Sequence, residues 1–279
     1  MRRQTRAGPE GPGPDGDSLY FVGTATTILR LGPFTVLTDP NFLHRGQRAY
    51  LGWGLSSPRL TDPAMGPADL PALDVVLLSH LHGDHFDRVA RRHLDRTPPV
   101  VTTPHAARRL GRWGFGTKAL DTWEDHVVTR GLHTLRITSV PAVHARGVMG
   151  RLLPPVMGSI VDHLVAGELR RRVYVSGDTL DGDHVDEVRE RFPDIDAAVV
   201  HLGGTRVLLH TVTMDGAAGV RFVERFQPSV VVPVHHDDYR VFRSPLRDFV
   251  ERAWGRDLVA ELRCPERGEV VSLAPPVED

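Results

Sequence analysis

Short apolar runs, each ended by a turn signal, divide this chain into strands and helices. Leu19 to Val22 and Thr26 to Leu31 read as strands, Gly32-Pro33 as a turn, and Phe34 to Thr38 as a returning strand that stops at Asp39-Pro40. Asp74-Val75-Val76-Leu77-Leu78-Ser79 is apolar enough for a buried strand, and residues 86–94 behind it read as a helix. Further strands are expected at Val100–Thr102, Leu135–Val140, Ala197–His201, Ser229–Val234 and Glu269–Leu273, with a hairpin over 159–176 turning at Ala166-Gly167-Glu168. Pro104 to Gly111 reads as a helix closed by glycine, and Asp183 to Phe192 as another. A helix running to Phe226 takes Thr213 as its expected cap and Val220, Phe222, Val223 and Phe226 as its apolar face. Pro245 opens the last helix. Residues 41–72, rich in Gly and Pro, read as one long loop of the kind that is functional or poorly ordered.

Strands rich in hairpins, followed by interspersed helices, occur twice along the chain. That order predicts an α/β (α+β) fold, a four-layer αββα sandwich of two mixed sheets with outer helices. A length of 279 residues suffices for one large core. Residues 18–279 are expected to form a single domain, behind a disordered tail over 1–17 that is dense in Gly, Pro and charge. No run approaches the roughly 18 apolar residues of a membrane span, and no secretory signal is visible, so a cytoplasmic protein is expected. Charges of both signs are interspersed at a formal net of −1, which announces no nucleic-acid face. The lone Cys264 excludes a disulfide framework and reads as a small core residue near the last strand.

The chemistry concentrates at strand ends. His80-Leu81-His82-Gly83-Asp84-His85 places four metal-type side chains on one strand-to-helix loop. His80 and His82 are two apart in extended backbone and face the same side, while Asp84 and His85 sit where the chain turns and face a second position. Three later strand ends deliver His144, Asp178 and His235. By chemistry alone, one ion would take His80, His82 and His144, and another Asp84, His85 and His235. Asp178, with two oxygens, would bridge them. Imidazoles with a hard carboxylate suit zinc, with Mn2+ or Fe2+ as alternatives.

Other residues are weaker candidates. Asp39 follows a buried strand and is either an outer-layer partner that orients a ligand histidine or an Asp-Pro turn. His236 follows His235 and is a candidate for a similar supporting role, and His201 beside Gly203-Gly204 is a pocket or a core histidine. Tyr50 and Trp53 in the long loop, and Arg146 and Arg151 after His144, are candidates for contacting a small-molecule, anionic substrate.

In these residues the chain resembles the metallo-β-lactamase superfamily. The H-x-H-x-D-H signature matches 80–85, and His144, Asp178 and His235 fall on that superfamily's remaining ligands. Gly23-Thr24-Ala25-Thr26, Leu37-Thr38-Asp39-Pro40 and Pro233 to Tyr239 are similar to the branch containing ascorbate-6-phosphate lactonase and N-acyl-phosphatidylethanolamine phospholipase D. Thr24 stands where that branch often has histidine, and His236 where it has tyrosine. The implied activity is hydrolysis of a phosphodiester, lactone or other ester by a hydroxide bridging two divalent ions, with Asp84 or Asp178 taking a proton. Three alternatives share the fold: a mononuclear iron oxygenase acting on a persulfide, nucleic-acid processing, against which the balanced charge argues, and a non-catalytic metal-binding module.

Overall fold

A computed structural model describes residues 16–207, 210–256 and 258–276. In the first half, strands β1 (Ser18–Gly23), β2 (Thr26–Leu31) and β3 (Phe34–Thr38) are followed by the hairpin β4 (Arg48–Gly52) and β5 (Leu55–Pro58). Next come β6 (Val75–Leu78), α1 (Arg88–His93), β7 (Val100–Thr102), α2 (Pro104–Arg112) and β8 (Thr117–Ala119). The middle of the chain holds β9 (Asp125–Arg130), β10 (His133–Val140), α3 (Val148–Leu152), β11 (Gly158–Val165), β12 (Glu168–Val175) and α4 (Asp183–Arg191). Then follow β13 (Ala197–His201), β14 (Arg206–Val207), β15 (His210–Thr211), α5 (Gly216–Phe226), β16 (Val230–Val234), α6 (Leu246–Trp254), β17 (Glu261–Leu262) and β18 (Val270–Ser272).

Two seven-stranded mixed sheets result, in the orders β18-β1-β2-β3-β6-β7-β8 and β17-β16-β13-β12-β11-β10-β9. Period-two alternation stacks them. Leu19, Phe21, Val75 and Leu77 of the first sheet pack against Ile137, Val173, Val199 and Val232 of the second. The intervening Val76 and Leu78 turn outward onto Ala90 of α1 and Ala106 and Leu110 of α2. Ala198 and Val200 turn the opposite way, onto Val220 and Phe222 of α5 and Phe249 of α6. Helix, sheet, sheet, helix is therefore the observed layering, as the order of elements predicts. Strands buried on both faces, such as β6 and the first four residues of β13, are apolar throughout for this reason.

Four expectations change. Residues 41–72 are not one loop: β4 and β5 pair in antiparallel fashion, turning at Gly52-Trp53-Gly54, where all three have positive φ. The cap of α5 is Asp215, which accepts from Ala218 N at 2.9 Å, because the Thr213 hydroxyl already accepts from Thr205 N at 2.8 Å. Cys264 is exposed, past the end of β17, and belongs to no core. The expected tail over 1–17 lies mostly outside the described residues, yet Asp17 is buried. It accepts from Gly32 N and pairs with Arg171, so it belongs to the folded structure.

Candidate metal centre

The two sheets deliver every strong sequence candidate to one edge. The loop after β6 brings His80, His82, Asp84 and His85; the segment after β10 brings His144; the segment after β12 brings Asp178; and His235 follows β16. Potential ligand atoms lie within 4.8 Å of one another in His80/His82/His144, in His80/His85/Asp178 and in Asp84/His85/His235. His80 Nε2 is 2.9 Å from His82 Nδ1, which is 3.3 Å from His144 Nε2. His85 Nε2 is 3.1 Å from His235 Nε2 and 3.2 Å from Asp178 Oδ2. Asp84 Oδ2 is 3.4 Å from His235 Nε2, and Asp178 Oδ2 is 3.9 Å from His80 Nε2. Asp178 thus touches both groups.

Four of these rings are held from behind at the nitrogen that faces away from the cluster. His80 Nδ1 meets Ser79 Oγ (3.0 Å), His144 Nδ1 donates to Val212 O (2.9 Å), His235 Nδ1 donates to Leu202 O (3.0 Å), and His85 Nδ1 meets Asp39 Oδ2 (3.1 Å). Such contacts fix the tautomer and aim the other nitrogen inward. They also assign Asp39. It reaches His85 from the side opposite Asp178, so it orients the ring rather than sharing the cluster. The same carboxylate faces His201 Nε2 at 3.3 Å and accepts from Ser79 N and Oγ. His201 is therefore an outer partner that sequence reasoning left between two roles.

The donor set fits divalent cations. Two buried imidazole lone pairs cannot face each other at about 3 Å without a proton or a cation between them. Asp84 Oδ1 and Asp178 Oδ1 are buried with no hydrogen-bond partner, a costly state for a carboxylate oxygen unless a cation meets it. Burial, together with the neighbouring His85, His82 and His144, holds the His80 imidazole well below its usual pKa. His82 is held to about 4, chiefly by burial and then by His144. Burial would raise Asp178, but His235 and His85 keep it well below the carboxylate range. His80 and His82 are therefore neutral beside an ionised Asp178, the form in which such groups bind metal. Burial would lower His85 and His235, but Asp178 and then Asp39 raise His85, and Asp178 and then Asp84 raise His235, so an ion on that side must displace protons.

The backbone is strained where it serves this cluster. Thr24, Asp39 and His235 have φ of 56°, 36° and 60°, a region costly for residues with a Cβ. The bond from His235 N to Thr24 O (2.6 Å) ties two of them together, and Asp238 Oδ2 accepts from Thr24 N at 2.6 Å.

A second layer escaped sequence reasoning. Arg59 is fully buried, and its Nη1 donates to Asn41 Oδ1 at 2.5 Å. Asn41 Nδ2 in turn donates to the carbonyl of Gly83 in the metal loop (2.8 Å), while Tyr239 donates to Asn41 Oδ1 (3.0 Å). An arginine in a polar stretch carries no sign of burial in its own sequence, because its partners, Asn41 and the Tyr239 ring, come from two other segments of the chain.

The weaker candidates disperse. Tyr50, Trp53 and Arg151 line a cavity of about 600 Å3 that opens on His82. Arg146 turns away and donates to Asp181 O at 2.8 Å. His236 packs against Phe21 and contacts Asp237, outside the ligand groups. A larger cleft of about 720 Å3, between α4 and the end of α5, includes none of the metal-type groups. No described helix is long and apolar enough to cross a membrane.

Comparison with known proteins gives the family and relatives of the fold. The sequence model of a family described as "Beta-lactamase superfamily domain" matches residues 35–236. A metal-dependent hydrolase of Nanoarchaeum equitans is 23% identical over 186 residues, 66% of this chain and 79% of that one. Among solved structures, an isothiocyanate hydrolase from Delia radicum gut bacteria superposes with a TM-score of 0.78 at 18% identity, covering 92% of this chain and 99% of its own. A "possible metal-dependent hydrolase" from Veillonella parvula gives 0.75 at 22% identity, with coverage of 92% and 99%. At these identities the structural likeness establishes the fold.

Proposed function

The chain belongs to the beta-lactamase superfamily domain family, and on that premise we propose that it is a metal-dependent hydrolase with two ions per chain, acting on a phosphodiester, lactone or other ester. One observation carries the reading: Asp178 lies between two ligand groups, 3.2 Å from His85 Nε2 and 3.9 Å from His80 Nε2, with its Oδ1 unpartnered. His80, His82 and His144 would hold one ion; Asp84, His85 and His235 the other; and Asp178 would serve both. Zn2+ suits this nitrogen-rich set, with Mn2+ and Fe2+ as alternatives. When bound, such a pair lowers the pKa of water toward neutrality and acts as a Lewis acid.

The chain's own residues do the rest. Asp84 Oδ1, buried and free of protein partners, is placed to accept the proton of an attacking water. Asp39, Val212 and Leu202 hold the rings against rotation, so the geometry is set before substrate arrives. The cavity beside His82 supplies the wall against which the substrate is oriented.

A mononuclear iron oxygenase would use one ligand group and leave the other surplus, and the mark of a non-catalytic module would be lost ligands, whereas His80, His82, Asp84, His85, His144, Asp178 and His235 are all present. The test is a screen of phosphodiesters and lactones alongside an oxygen electrode, with His80→Ala and Asp178→Asn as controls. Hydrolysis lost in both variants supports the proposal. Oxygen consumption without ester cleavage overturns it, and so does wild-type turnover in either variant.

A further inference from the structure

Charge is segregated on one side of the site. Residues 88–118 carry seven arginines and Lys118 against a single carboxylate, Asp95, in a chain whose formal net charge is −1. Part of this charge borders the cavity that opens on His82. Arg88 and Arg91 come from α1, Arg109 from α2, Arg151 from α3 and Arg48 from β4. The one acid in that lining, Asp87, is already committed, since its oxygens accept from the backbone N–H groups of Phe42, Leu43, Val89 and Ala90.

Three of these arginines keep their donors free. The Arg91 and Arg109 guanidinium carbons lie 4.3 and 5.7 Å from the centre of the Trp113 ring, and Trp113 stacks on Phe86. A guanidinium lying over an indole leaves its in-plane N–H groups available and loses less freedom on binding an oxyanion. Among the described residues, Arg91, Arg109 and Arg151 have neither a carboxylate within ion-pair distance nor a hydrogen bond from the side chain. Neighbouring His105 reports the same field. Burial first, then Arg108 and Arg109, hold its pKa below the usual value.

The remaining walls are apolar. Leu81, Leu152 and Pro154 line the cavity, and Tyr50 and Trp53 stand at its mouth, 61% and 66% exposed. Their hairpin is pinned to the metal loop, because Gly83 N donates to Tyr50 O at 2.9 Å. A volume of about 600 Å3 falls in the range of small-molecule sites.

Resting on the hydrolase reading, we infer that this cavity binds a phosphate group of the substrate at a position remote from the bond cleaved beside His82. Several unpaired guanidiniums match a dianion better than a single carboxylate, and their forked donors fit phosphate oxygens. The apolar or ring-bearing body of the same molecule would lie against Tyr50, Trp53 and Leu152.

The test is calorimetric and needs no turnover. Phenylphosphonate, a dianion with a ring and no ester to cleave, is titrated into the metal-loaded protein, with benzyl alcohol as the uncharged control. One phenylphosphonate should bind per chain and benzyl alcohol should not. Arg109→Gln and Arg151→Gln should each weaken binding about tenfold or more, the size of one lost charged hydrogen bond, with metal content unchanged. Arg151 is exposed on a short helix, so its variant stays informative even if Arg109→Gln fails to fold. An unchanged Kd in both variants overturns the inference. So does binding that is lost on chelation but indifferent to the arginines, since the anion would then sit at the metals. A single-stranded oligonucleotide that binds more tightly than phenylphosphonate through the same arginines also overturns it, in favour of a nucleic-acid face. Failure of the hydrolase reading looks different: arginine-dependent phosphonate binding with no ester cleaved.

Discussion

Replacing Asp39 with asparagine separates an orienting carboxylate from a simple Asp-Pro turn. Asp39 is 1% exposed, and its oxygens accept from Ser79 N (2.8 Å) and Ser79 Oγ (3.0 Å) and face His85 Nδ1 (3.1 Å) and His201 Nε2 (3.3 Å). Burial alone would raise this carboxyl, but His85 and then His201 bring it down to about 2. Asparagine keeps the size and replaces one acceptor oxygen with an NH2. Whichever way it turns, that NH2 meets either the Ser79 N–H or a ring nitrogen that donates, and the charge fixing the proton on His85 Nδ1 is gone. A hydrogen bond to a charged group is worth about 1.5–3 kcal/mol, and loss of an outer partner costs roughly 10–100-fold in metal affinity. The ion on the Asp84, His85 and His235 side should therefore bind about 10–100-fold more weakly. The ion on the His80, His82 and His144 side should bind as in the wild type. Competition against a chromophoric chelator resolves the two affinities. Two wild-type affinities in Asp39→Asn would refute the orienting role, and so would loss confined to the His80 side.

The structure makes further demands. Gly83→Ala would place a Cβ 2.5 Å from Tyr50 O, so the β4–β5 hairpin must shift. Overpacking of this kind costs about 1–3 kcal/mol, and calorimetry should show Tm lower by several degrees with metal retained; an unchanged Tm would mean the hairpin yields freely. Asn41→Ala leaves the buried Arg59 with only the Asn41 carbonyl as acceptor, and denaturant unfolding should show a loss of about 3 kcal/mol or more. Adding Arg59→Met should then cost little more, because the unpaired charge goes with it; strictly additive losses would break the proposed coupling.

The candidate ligands were legible because each follows a short apolar strand, and a strand end needs no tertiary knowledge to recognise. His80, His144, Asp178 and His235 all read this way, and so did the two-sheet layering that gathers them. Exposed elements hid. β4 and β9 are half solvent-facing and carry no apolar run, so Arg48–Gly52 and Asp125–Arg130 gave no periodic signal. Thr213 and Asp215 are both good capping residues two positions apart, and the choice between them was made by Thr205, which occupies the Thr213 hydroxyl. Arg59 and the Trp113 stack depend on partners far apart in the chain, and side-chain type alone foretells neither. A balanced total charge also concealed the basic surface of α1 and α2, because acids elsewhere in the chain cancel it.

The central claim is that one carboxylate joins two ligand groups holding an ion each, and metal counting addresses it most directly. Protein purified without chelator should contain close to two divalent ions per chain by plasma mass spectrometry, with zinc predominant. Asp178→Asn should retain fewer than wild type, because the bridging charge serves both sides. One iron per chain together with oxygen consumption would contradict the account, as would a full complement of two ions in Asp178→Asn.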